Sequence, residues 1–199
     1  MTTIAPEKTS EVAVAIKDGL VVAFPSDTSY GLACDPKNLF SYNSLFKIKE
    51  RPANKQISCI FRDIEQIKLW TKITKWQKEI LLKNLPGPFT FLLEPNKNYP
   101  IKGQDGAVIS VGVRIPYFSF TKALSQLLEF PYTATSANVS GNTPFYDSLA
   151  VLTEFENRKY QPGLVVDFGV LPVNPPSTVA DLRNDKVTII RDGTARVSY

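Results

Sequence analysis

The chain has 199 residues, enough for one well-buried core and too few for two full-sized domains. Its hydrophobic share of 43% and charged share of 21% are those of an ordinary soluble globular protein, which excludes a solenoid, a fibre or a largely disordered chain. The lack of any histidine excludes serine–histidine and cysteine–histidine nucleophile pairs, imidazole acid–base catalysis and His-ligated zinc, while a net charge of +4 and a pI near 9.0 favour anionic ligands.

The N-terminal Met1-Thr-Thr-Ile-Ala-Pro-Glu-Lys carries no charged-then-apolar leader, and no apolar run approaches a membrane span, so a cytoplasmic, non-membrane protein is expected. Thr9 or Ser10 is placed to cap a helix over 11–18 that Gly19 ends. The apolar Gly19 to Phe24 then reads as a buried strand, followed by FPSDTSYG (Phe24 to Gly31). Pro, Ser, Asp and Gly are ordinary turn residues, yet loops at the carboxyl ends of strands in open α/β sheets also carry ligands, and both readings stand at this point. Helical spacing of Leu39, Phe40, Leu45, Phe46 and Ile48 predicts a second helix, and the positive loop Lys49 to Lys55 leads into a strand at 57–61. Cys34 and Cys59 lie in no metal-ligand spacing and are expected to be reduced and structural.

Asp63 and Thr74 read as caps of two further helices, the second over 75–84, whose Trp76, Ile80 and Leu81 stripe is a core face. Leu85-Pro-Gly-Pro88 stops it, and strands follow at 89–93 and 107–115. A helix near 119–129 leads to a short strand at 132–135 and a second small, polar segment, Ser136 to Asn142. A helical piece near 147–156 precedes strands at 164–168, 178–182 and 186–191. Helices alternating with strands argue an α/β fold, and the closely spaced final strands argue a mixed sheet. The whole of 1–199 is expected to form a single domain.

Three segments share a chemical character: FPSDTSYG, Lys49-Glu-Arg51 and Ser136-Ala-Asn138. Neither a Gly-x-x-x-x-Gly-Lys-Ser/Thr loop nor a Gly-x-Gly-x-x-Gly turn occurs, so a nucleotide here would be held some other way. Lys49 and Arg51 suit a cationic clamp on phosphates, or a merely solvated basic loop. Ser136 and Asn138 suit ligand recognition, or a turn. Arg114 stands in the otherwise apolar Val111 to Pro116 and needs an anionic partner, either Asp167 or a substrate carboxylate; Arg191 ends the last strand and faces solvent or a phosphate.

The ordered set FPSDTSYGL, KERPANKQI, LPGPFTFLL, VGVRIP, TSANVSG, PSTVADL and IIRDG, from Gly19 to Gly193, resembles the Sua5/YrdC/YciO family, specifically its short threonylcarbamoyl-AMP synthases. The resemblance implies a twisted open mixed α/β sheet flanked by helices around a positively charged central cavity. It also implies synthesis of threonylcarbamoyl-AMP and pyrophosphate from L-threonine, bicarbonate and ATP with Mg²⁺, feeding N6-threonylcarbamoylation of tRNA adenosine by partner proteins. The family's Lys-x-Arg motif falls on Lys49 and Arg51, implied in catalysis and in binding ATP phosphates. Its Ser-x-Asn motif falls on Ser136 and Asn138, implied with Ser177 and Arg191 in ATP binding. Thr28, Tyr30 and Arg114 fall on implied threonine contacts, with Ser26 keeping a hydroxyl where the family has threonine. Gln56 and Ser29 depart from the family's usual proline and apolar residue. The rival reading is a module of the same fold that binds tRNA or double-stranded RNA, with Lys47, Lys49, Arg51, Lys55 and Arg62 on phosphates.

Overall fold

The computed structural model describes residues 1–52, 55–101, 110–193 and 195–199. Among them the chain runs β1 (Thr2–Ile4), α1 (Thr9–Lys17), β2 (Val22–Phe24), β3 (Gly31–Ala33), α2 (Leu39–Ile48), β4 (Ser58–Ile60), α3 (Ile64–Trp70) and β5 (Thr71–Lys72). It continues through α4 (Lys75–Asn84), β6 (Phe89–Pro95), β7 (Val111–Arg114), α5 (Ser119–Leu127), β8 (Tyr132–Ser136), α6 (Ser148–Phe155), β9 (Leu164–Val166), β10 (Thr178–Asp181) and β11 (Thr188–Arg191).

Local chemistry accounts for most helix starts. The Asp63 carboxylate accepts from the Gln66 N–H, and Thr74 and Gln77 form a reciprocal capping box that starts α4 where expected. The expected cap on α1 is corrected: the residue before the helix is Lys8, with no side-chain cap, because the Thr9 hydroxyl donates back to the Pro6 carbonyl at 3.0 Å and the helix starts at Thr9 itself. Three strands escaped the sequence reading. β1, β3 and β5 are two or three residues long and owe their geometry to partners, so they carry no visible periodicity. The strand expected over 107–115 is seen as Val111–Arg114; 107–109 lie outside the described residues.

The strands join in the order β1-β9-β2-β3-β8-β4-β7-β6-β10-β11, with β5 beside β6. Parallel pairs (β1/β9, β2/β9, β4/β7, β6/β10) alternate with antiparallel ones (β2/β3, β3/β8, β4/β8, β6/β7, β10/β11), so the sheet is mixed, as expected. The period-two alternation of each strand sorts its side chains to two faces. On β2, Val22 and Phe24 pack against α1 and α5 while Ala23 packs against α2 and α6, which is why that strand reads as a continuous apolar run. On β6, Phe89, Phe91 and Leu93 pack on Ile67, Trp70, Ile80 and Leu81 of α3 and α4. The intervening Thr90 and Leu92 face the other way, toward a space that none of the described helices fills. Among the described residues no helix is long and apolar enough to cross a membrane.

The chain leaves β11 through Gly193, pressed against the segment entering β10. A Cβ there would lie 2.2 Å from the Pro176 carbonyl oxygen and 2.4 Å from the Thr178 nitrogen, both backbone atoms with little room to move. Gly193→Ala is therefore expected to destabilise the protein by about 1–3 kcal/mol, an overpacking cost. Thermal unfolding checks this, and an unchanged Tm would contradict it.

Candidate functional site

The open face of the sheet holds a cavity of about 290 Å³. Its floor is the outward set of the central strands, Ser58, Thr90, Leu92, Ala134 and Val179; its walls are Thr28 and Ser29 from the β2–β3 loop, Arg51, Ser136, Tyr146, Asn174 and Ser177, and its cations are Arg51, Arg114 and Arg191. A larger cavity, about 380 Å³, lies apart among Phe61, Pro86, Ile115, Tyr117 and Phe118 and is lined by none of the candidate catalytic or binding residues.

Arg51 reaches the cavity because of how α2 ends. The Arg51 N–H donates to the Phe46 carbonyl at 3.0 Å and the Glu50 N–H to the Lys47 carbonyl at 3.2 Å, the bond pair of a Schellman motif in which Glu50 takes the left-handed position, φ 48°. Glycine is the usual occupant, and a side chain there costs about 1 kcal/mol. The turn sends its two cations to different depths. Lys49, the helix's last cap residue, is 1% exposed, and its Nζ donates to the Ser136 carbonyl at 2.5 Å, the Asn138 carbonyl at 2.9 Å and Asn138 Oδ1 at 3.2 Å. Arg51 lines the cavity, with Nη2 donating to the Gln56 carbonyl at 3.0 Å.

The two motifs thus form one unit. The Ser136 hydroxyl donates to Asn138 Oδ1 at 2.5 Å, the Asn138 amide donates to the Asn142 carbonyl, and the Ser140 N–H donates to the Lys49 carbonyl at 2.8 Å. Ser136 lines the cavity; Lys49 and Asn138 are buried behind that wall. Of the four, Arg51 and Ser136 thus face the cavity directly while Lys49 and Asn138 stand behind its wall, and Lys49 is not part of an outward surface for RNA. Of the other cations in that rival reading, Arg62 pairs with Asp63 at 2.8 Å and Lys47 stacks over the Tyr160 ring.

Arg114 ends β7 and pairs through Nη2 with Asp27 Oδ1 at 2.8 Å, not with Asp167 as one reading held. Asp167 is taken by the Ser148 hydroxyl at 2.6 Å and the Gly169 N–H at 3.1 Å. Both members of the Arg114–Asp27 pair are nearly buried, and burial raises the Asp27 carboxyl above its usual range even against the lowering pull of Arg114. Arg191, at the rim, donates to the Ser177 carbonyl at 2.8 Å and hydroxyl at 3.1 Å, and the Ser177 hydroxyl shares a proton with Thr90 at 3.0 Å.

Thr28 sits in the wall, on a loop shaped by the Ser26 hydroxyl donating to the Ser29 carbonyl at 2.7 Å. Tyr30 does not offer its hydroxyl to the cavity: it is fully buried, donates to the Gly169 carbonyl at 2.9 Å and accepts from the Phe168 N–H at 3.1 Å. In this position the hydroxyl braces the backbone at 168–169. Sequence reasoning missed Asp27 as the partner of Arg114, as well as Thr90, Tyr146 and Asn174. Thr90 had a signal, as the lone hydroxyl in an apolar strand; Asn174, which donates to the Asp27 carbonyl at 2.9 Å, had none.

Three guanidinia and one carboxylate leave the site two positive charges in excess. Burial pushes Arg51 and, with help from the neighbouring Arg114, Arg191 below their usual values, and among the described residues the buried Nε atoms of Arg51 and Arg114 have no acceptor. An excess of buried positive charge of this kind suits an anionic ligand. Nucleophilic thiols are absent from it: burial pushes Cys34 up to about 12 and Cys59 further still.

Comparison with known proteins gives the same frame. The family model Sua5_yciO_yrdC, described as "Telomere recombination", matches residues 14–193. A crystal structure of P. abyssi Sua5 complexed with L-threonine is similar at 28% identity and a TM-score of 0.85, over 96% of this chain and 56% of that one. This chain therefore spans little more than half of that relative. A solution structure of a Methanobacterium thermoautotrophicum protein is 29% identical, with a TM-score of 0.73, over 100% of this chain and 92% of that one. E. coli YciO, at 22% identity, shares the fold with a TM-score of 0.86 over 98% and 96%.

Burial and the like charge of Arg51 push the Lys49 ammonium down to about 7 from the ordinary 10.5. Folded protein then binds fewer protons here than unfolded protein between those values, so this group's contribution to stability rises with pH across that window and is lowest below it. In urea unfolding, the stability of wild type relative to Lys49→Met is expected to climb between pH 7 and 10. A difference that stays flat would contradict a lowered Lys49.

Proposed function

The chain belongs to the Sua5/YciO/YrdC family, and from that premise we propose that it is a threonylcarbamoyl-AMP synthase. The observation that carries the reading is the cavity itself: three arginines against one paired carboxylate, two guanidinium Nε atoms without acceptors among the described residues, and walls of Thr28, Ser136 and Ser177 hydroxyls. The similarity to a Sua5 whose crystal structure holds L-threonine supports it.

In this reaction the threonine amine and bicarbonate give a carbamate with loss of water. A carbamate oxygen then bonds to the α-phosphorus of ATP as the bond to the β-phosphate oxygen breaks and pyrophosphate leaves. An anion attacks a polyanion, so charge neutralisation and alignment supply the catalysis, and no histidine or thiol is needed. Arg51 and Arg191, with Ser136 and Ser177, bind the triphosphate. Arg114 takes the threonine carboxylate, with Thr28 beside it. Lys49 and Asn138 act from behind the wall by holding Ser136 in place and adding positive charge. Among the described residues no group of three acidic, cysteine or histidine side chains could hold a metal ion. Mg²⁺ would enter with the ATP substrate, held chiefly by its phosphate oxygens and water. The adenylate passes to partner proteins that modify tRNA in the cytoplasm.

Pyrophosphate release is expected to require ATP, L-threonine and bicarbonate together and to prefer threonine to serine. Arg51→Ala is expected to lower kcat by about 100-fold or more, and Arg114→Lys to raise the threonine KM by about tenfold while sparing ATP. Release indifferent to threonine would overturn the reading.

A further inference from the structure

Glutamate at the left-handed position of the α2 turn is costly where glycine would be free, so its side chain must do something. Glu50 Oε1 accepts from Nη1 of Arg158, just beyond α6, at 2.9 Å. Arg158 also donates through Nη2 to Glu154 Oε1 at 3.1 Å and through Nε to the Glu154 carbonyl at 2.8 Å. The same Glu154 Oε1 accepts from the Asn142 amide at 3.4 Å, and the Asn142 carbonyl accepts from Asn138. One guanidinium is thus tied to Lys49 by two routes, through Glu50 on one side of the turn and through Glu154, Asn142 and Asn138 on the other.

From this circuit we infer that Arg158 is a positioning residue for the site. It locks the Lys49–Arg51 turn and the Ser136–Asn138 turn to the same end of α6, so that Lys49 stays buried under Ser136 while Arg51 points into the cavity. Arg158 lines no part of the cavity and acts only through these residues. The Glu50–Arg158 pair is largely solvated, with Glu50 at 59% and Arg158 at 34% side-chain exposure, so its contribution to global stability is small and its effect falls on local geometry.

The inference rests on the proposed synthase reading only for its kinetic arm, and three measurements keep the two apart. The first is acylation of Lys49 by an amine-directed reagent at pH 8, read by mass spectrometry against an exposed lysine such as Lys17. Lys49 is expected to be protected in wild type and to label about tenfold faster in Arg158→Met and Glu50→Gln, with no further gain in the double variant. The second is equilibrium binding of inorganic tripolyphosphate, expected to weaken several-fold in both single variants. The third uses Glu50→Gly, which removes the backbone cost and the ion pair together. It is expected to raise Tm by about 2–4 °C, yet to label Lys49 as fast as Arg158→Met does and to lower kcat/KM for pyrophosphate release. Wild-type labelling rates in Arg158→Met, or a Glu50→Gly protein with full protection and full tripolyphosphate affinity, would overturn the inference. Wild type that releases no pyrophosphate while its labelling responds as described would sink the synthase reading and leave the positioning role standing.

Discussion

Everything at this site depends on one buried ammonium. Lys49 Nζ has three acceptors, two of them main-chain carbonyls, so it fixes the path of the backbone after β8 as firmly as a strand partner would. An amine with 1% exposure is costly to keep charged, and neutral acceptors in place of a carboxylate meet that cost only in part, which leaves the group pushed down to about 7. A carboxylate would have cancelled the local positive potential, whereas neutral carbonyls leave most of it available to a ligand on the far side of the wall. The same economy appears in Arg51 and Arg191, whose protein partners are likewise uncharged oxygens. Among the described residues, Arg114 alone of the three cavity arginines has an acidic partner.

The sheet explains why such a site can exist on so small a chain. Because alternate residues on β6, β7 and β10 go to opposite faces, Phe91, Val113 and Ala180 build a core against α3 and α4 while Leu92, Arg114 and Val179 build the cavity floor. Each strand serves stability and binding with different side chains, so substitutions on one face need not disturb the other. The floor is rigid because its reverse side is core.

Much of this was readable in the sequence, and the limits follow from range. α4 and its capping box, the Asp63 cap and the mixed α/β alternation are local properties, encoded within a few residues. The segments that form the site were also visible as polar or cationic stretches beside apolar strands. What escaped depends on distant residues: Asp27 finds Arg114 across 87 positions, and β1, β3 and β5 are strands only because a neighbour makes them so. The different depths of Lys49 and Arg51 were hidden for another reason. Two cations two residues apart read as one patch until the left-handed turn at Glu50 is known, and nothing in a Glu predicts that conformation. The bonds of the Tyr30 hydroxyl to the backbone at 168–169 were hidden by distance, as the Asp27–Arg114 pair was, since they join residues some 138 positions apart.

The cavity takes its first wall from Thr28 and its last cation from Arg191, and its floor strand β6 is flanked by β10, whose residues are made some ninety positions later. During synthesis on the ribosome, therefore, the emerging chain carries the basic turn and the half-built floor long before the rim that closes them. Until β10 and β11 leave the exit tunnel, β6 presents an unpaired edge with three phenylalanine-class and leucine side chains beside it, which is the kind of surface that chaperones hold. Binding competence and protection of that edge arrive in the same late step, so a nascent chain has no period in which it is ligand-ready but incompletely folded.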